Sequence, residues 1–134
     1  MDFLDIYELL LKAYNNAYAK YSNFRVGAVI ILKDERYFLG CNVENASYGL
    51  TNCAERTALF SAYANGAKKE NIEELLLITR SKNFTYPCGA CRQVITELMD
   101  MDATVTLVNL EKKSKSIKVK DLLPNVFSEE DLHE

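Results

Sequence analysis

Two segments constrain this chain more than any others: "TNCAERTALF" (residues 51–60) and "YPCGACRQV" (residues 86–94). Each reads as the start of a helix, and each sets cysteine at that start. Asn52 is a good N-cap for a helix running to about Ala64, and a second helix opens near Pro87 or Cys88. The apolar run "LLLIT" (Leu75 to Thr79) lies between them, and the alternating "TVTLVNL" (Thr104 to Leu110) follows the second. Strand, helix, strand in this order predicts a layered α/β domain, its middle portion parallel through right-handed crossovers. Cys53, Cys88 and Cys91 then fall on one side of the sheet, where three thiols can converge.

The rest of the chain fits one domain spanning residues 1–134, close to the commonest domain size of roughly 100–150 residues. Phe3, Ile6, Leu9, Leu10, Ala13, Tyr14 and Ala17 recur at helical spacing, predicting an amphipathic helix from Asp2 to about Ala19. "RVGAVIIL" (Arg25 to Leu32) and "YFLGCNV" (Tyr37 to Val43) flank the polar "KDER", the pattern of a hairpin with a four-residue loop. A short last strand is expected near Ser116 to Lys120, where alternating lysines mark a guarded edge. About the last seven residues, acidic and including the only histidine, His133, are expected to be a mobile, solvated tail.

Charge narrows the partners. Sixteen Lys plus Arg against nineteen Asp plus Glu leave a net charge of −3, which does not supply the concentrated basic face that nucleic-acid binding needs. No apolar run approaches the ~20 residues that span a bilayer, and the N-terminal stretch lacks the basic and apolar regions of an export signal. A small neutral ligand and a reducing, cytoplasmic setting fit best, and there cysteines serve metals or chemistry more often than disulfides.

A structural zinc site closes with four protein ligands, whereas three leave a fourth position for water. Cys41, spaced unlike the others in the second strand, reads as a buried small hydrophobe; as a fourth ligand it would instead make a closed structural zinc module without catalysis. Glu55 has two readings. Asn52 with glutamate three places on is a capping-box pattern, the plainer role when taken alone. Cys53 and Glu55 also stand about 200° apart around a helix, so they share no lateral face, but both can lean over its open N-terminal end. The dipole there favours thiolates, and Arg56 is free to reach a cysteine sulfur and offset their charge. Asn42 and Glu44, two apart at a strand end, point to one face as a polar pair suited to ribose hydroxyls. Phe24 taken alone reads as core.

"NVENASYGLTNCAERTA" and "PCGACRQV", with "YSNFRVGA" upstream and "LLPNVF" downstream, resemble the small cytidine deaminases of nucleoside salvage, in order from about residue 18 to 127. Zinc deaminases carry a ligand-x-Glu element followed by Pro-Cys-x-x-Cys, and here Cys53 takes the first position. The resemblance implies a three-layer α/β/α sandwich around a mixed five-stranded sheet, with one zinc ion per chain held by Cys53, Cys88 and Cys91. It implies Glu55 as the group that moves protons while cytidine, and 2′-deoxycytidine, become uridine or deoxyuridine plus ammonia. It further implies that Phe24 packs on the base, that the Ala54 backbone touches the pyrimidine edge, and that Asn42 and Glu44 bind the 3′-hydroxyl. Arg56 tunes the thiolates, and a homotetramer brings Ala46, Tyr48 and Phe127 toward a neighbouring subunit's pocket. Lys20 and Gly49 stand where the family often has proline, which bears on loop rigidity and subunit contacts. A relative acting on another aminopyrimidine nucleoside is the alternative within the same chemistry.

Overall fold

The computed structural model describes residues 1–132. Asp2 caps the first helix, α1 (Phe3–Asn15), by accepting the Asp5 amide at 2.9 Å. Strands β1 (Gly27–Leu32) and β2 (Tyr37–Cys41) form the expected hairpin, and α2 (Ala54–Ala64) and β3 (Ile72–Thr79) follow. Helix α3 (Gly89–Leu98), β4 (Thr104–Asn109) and β5 (Ser114–Lys118) complete the regular elements. The sheet runs β2-β1-β3-β4-β5, with β3 and β4 parallel and its other pairs antiparallel.

Strand alternation divides the core into two clusters. Val29, Ile31, Leu76, Ile78 and Val108 face Ile6, Tyr7 and Leu10 of α1. Ala28, Ile30, Leu32, Leu75, Leu77, Val105 and Leu107 face Ala58, Leu59 and Ala62 of α2 and Ile95 of α3. All of β1 is buried, because helices cover both its faces. This is a three-layer α/β/α sandwich, and each aliphatic side chain fully buried in it is worth about 1.5–3 kcal/mol.

Several boundaries differ from expectation. Helix α1 stops at Asn15, four residues early, because the chain turns out to pair with the segment after β2: the Tyr18 amide donates to Asn42 O and the Glu44 amide to Tyr18 O. Strand β5 begins at Ser114, since Asn109 closes a tight turn by accepting the amides of Glu111 and Lys113, with Lys112 at φ 65°. It is an edge strand, as the lysines indicated. Residues Glu129–Leu132 of the expected tail form a 3-10 turn, while His133 lies outside the described residues.

Candidate active site

Both site helices begin on cysteine. Cys53 and Cys88 are the N-cap residues of α2 and α3, in extended backbone, and neither side chain makes a capping hydrogen bond. A sulfur cap forgoes roughly 1 kcal/mol of helix-start stabilisation relative to Ser or Asp, and it leaves the first amides of two helices and their dipoles directed at one spot. Cys91, one turn into α3, is buried there. The three Sγ atoms lie within 4.8 Å of one another, the only such group of potential metal ligands among the described residues.

A tetrahedral ion with Zn–S bonds of about 2.3 Å holds its sulfurs roughly 3.8 Å apart. Cys53 and Cys88 Sγ already stand 4.0 Å apart, so the donor set fits zinc in chemistry and in spacing. Cys41 stays outside the group. It closes β2 half-buried rather than fully buried as expected, and desolvation pushes its thiol pKa up.

Hydrogen bonding from Cys91, and then from Arg56, draws the Cys53 thiol down to about 5, while Cys91, the donor to that sulfur, is pushed upward. Arg56 Nη2 donates to Cys53 Sγ at 3.2 Å, the contact its position in sequence suggested. Its Nε is buried without a partner among the described residues.

Glu55 is the second residue of α2, 5% exposed. The capping-box role fails here because the helix starts one residue later than expected: Cys53 is the cap, and Asn52 Nδ2 donates instead to Thr57 Oγ1 at 2.9 Å. The Glu55 side chain is left to the cleft, where desolvation raises its carboxyl pKa above the ordinary carboxylate value. Gly40 of β2 seats this end of α2, since a Cβ at that position would lie 2.5 Å from both Ala54 O and Ala58 N.

A cleft of about 270 Å³ runs from this corner toward the surface, near the low end of small-ligand sites. Cys53, Ala54, Glu55 and Cys88 line its inner end, Phe24, Val26 and Leu77 supply apolar wall, and Asn42 and Glu44 lie with Ser22 at the other end. Asn42 and Glu44 thus share a face, with Val43 exposed on the other. Both already hold the chain before β1. Asn42 Oδ1 accepts from the Val26 amide at 2.9 Å and Nδ2 donates to Phe24 O at 2.9 Å. Glu44 Oε1 accepts the Tyr21 and Ser22 amides, each at 2.9 Å, and Oε2 accepts from the Ser22 hydroxyl. These bonds, the Ser22 hydroxyl first and then its amide, hold the Glu44 carboxylate ionised at lower pH than usual.

Ser22, Thr51, Thr85 and Tyr86 line the cleft without having been singled out in the sequence. Only Ser22 had a signal: its hydroxyl accepts the Phe24 amide at 3.0 Å, a Ser turn two residues long that "YSNF" permits. Ala46, Tyr48 and Phe127 are all exposed and line none of this chain's own cleft, Tyr48 at 79% and Phe127 at 57% exposure.

Residues 4–107 match the family model of the cytidine and deoxycytidylate deaminase zinc-binding region. A cytidine deaminase of Halalkalibacterium halodurans is 46% identical over 124 residues, 92% of each chain. Among solved structures, the cytidine deaminase of Burkholderia pseudomallei superposes with a TM-score of 0.90 at 45% identity, over 95% of this chain and 100% of that one. The cytidine deaminase of Mycobacterium tuberculosis gives 0.79 at 32% identity, over 96% and 98%.

Proposed function

This chain belongs to the cytidine and deoxycytidylate deaminase family, and from that premise we propose that it hydrolyses cytidine to uridine and ammonia. The observation that carries the reading is a buried carboxylate, Glu55, opening into the same cleft as a triangle of sulfurs, with an aromatic wall and a polar pair farther out. Cys53, Cys88 and Cys91 would hold zinc. When bound, the ion supplies a Lewis acid that makes water nucleophilic near neutral pH.

The protein's own groups account for the other steps. Phe24, Val26 and Leu77 form an apolar slot that holds the pyrimidine and excludes bulk water. The Ala54 backbone borders the ring edge, and Glu44 with Asn42 meets the sugar. Glu55 takes a proton from the attacking water and delivers it to N3 as oxygen adds at C4; it then takes the proton of the new C4 hydroxyl and delivers it to the 4-amino group, which leaves as ammonia while the C4 carbonyl forms. Burial raises its proton affinity, which suits a group that must both accept and donate. Arg56 keeps Cys53 anionic and offsets its charge.

Glu44 keeps about one of its roughly four acceptor sites free beyond the three bonds to residues 21 and 22. One site suits one hydroxyl, so the reading extends to 2′-deoxycytidine. The free thiols support a reducing, cytoplasmic setting, in which the reaction serves nucleoside salvage. Exposed Tyr48, Leu50, Phe60 and Phe127 support a homotetramer that buries them.

The test is purified protein with cytidine, followed by ultraviolet loss and ammonia release, beside Glu55→Ala. The variant is expected to keep about one zinc per chain and to turn over at least ~10²-fold more slowly. Parental turnover in the variant removes Glu55 from its role, and no ammonia from the parent removes the function.

A further inference from the structure

The backbone around Phe24 is tied by Ser22 and Asn42, but those bonds leave the tilt of the ring to whatever packs on it. Arg80, the first residue after β3, does so. Its Cζ lies 5.3 Å from the ring centre, and its Nη1 donates to Asn23 O at 3.0 Å. Asn23 is at φ 57°, a left-handed conformation that Asn adopts more readily than most residues and that an external bond helps to hold. Phe24 lines the cleft, and Arg80 is not among the residues that line it. Among the described residues no carboxylate lies within 4.0 Å of Arg80 to draw it away.

We infer that Arg80 is a positioning residue for the base: it holds the Asn23–Phe24 turn and fixes the ring face on which the pyrimidine stacks. An exposed cation on an aromatic ring and a single exposed hydrogen bond are each weak contacts, so losing both is read as a change of several-fold. The effect belongs to ground-state and transition-state binding alike, so it falls on KM. For its substrate this inference rests on the proposed function; for the clamp itself it does not.

Arg80→Met keeps the unbranched apolar stem of the side chain and removes both contacts. The expected result is a KM for cytidine raised ~3–10-fold with kcat within about twofold, and less than a twofold further rise when Arg80→Met is added to Phe24→Leu. Hydrogen exchange at the Asn23 and Phe24 amides should quicken several-fold, and Arg80→Lys should fall between parent and Arg80→Met in both measurements. An unchanged KM, or an equal rise in KM with and without Phe24→Leu, overturns the inference. Should the parent fail to turn over cytidine, the proposed function falls and exchange alone decides: faster exchange at residues 23 and 24 upholds the clamp, and unchanged exchange overturns it.

Discussion

The two ends of the cleft are built by different means. At the inner end, Cys53, Glu55, Arg56, Cys88 and Cys91 belong to the first turns of α2 and α3, and Ala58, Leu59 and Ile95 anchor those helices to the sheet. Toward the outer end, Ser22 and the wall residue Phe24 stand in a connection with no regular structure, whose amides donate to Glu44 and to Asn42 Oδ1 and whose Phe24 carbonyl accepts from Asn42 Nδ2. Hydrophobic packing thus sets the atoms to which the proposed function gives the chemistry, and polar bonds set those to which it gives recognition. Packing tolerates little displacement, whereas a bonded loop can adjust to its ligand.

The largest break in this contrast should come from Gly40→Ala. Its added Cβ meets backbone that cannot step aside, so the start of α2 must shift. The expected loss is ~10²-fold in kcat/KM, since small misplacements of catalytic groups cost about that much, with a lower melting temperature in the same preparation. Parental kinetics in that variant would show that the inner end is less rigid than its packing. Ser22→Ala should act differently, because it frees Glu44 Oε2 and the Phe24 amide together. A KM rise of ~10-fold with kcat within about twofold is expected for lost bonds to a charged group, and a fall in kcat of the same size would merge the two ends into one unit. The smallest effect belongs to Cys41→Ala, with zinc content by elemental analysis and kcat/KM within about twofold of the parent; a loss of metal would make Cys41 a fourth ligand.

Sequence alone exposed the inner end more fully than the outer one, and the same contrast explains why. Cysteine has few uses at a helix start, so Cys53, Cys88 and Cys91 announce themselves by position. Arg56 could be placed against a sulfur because one helical turn fixes its reach. The element order and the hairpin followed from periodicity. Long-range backbone pairing carries no such local pattern, so the bridge of Tyr18 to Val43 that ends α1 early was not visible. Nor was the Gly40 contact, which depends on how closely α2 approaches β2. The spacing of Asn42 and Glu44 points to sugar hydroxyls, but their bonds to residues 21–26 join segments about twenty residues apart, which spacing does not reveal.

Glu44 has two tasks, the hydroxyl that the proposed function assigns to it and the loop it fastens. Any lineage, or any engineer, that exchanges it for a side chain suited to another sugar removes three anchors from residues 21 and 22 in the same stroke. A change of preference at this site is consequently a coupled event: the first substitution damages before it redirects, and a compensating one must already be present in the neighbouring loop for the new variant to persist.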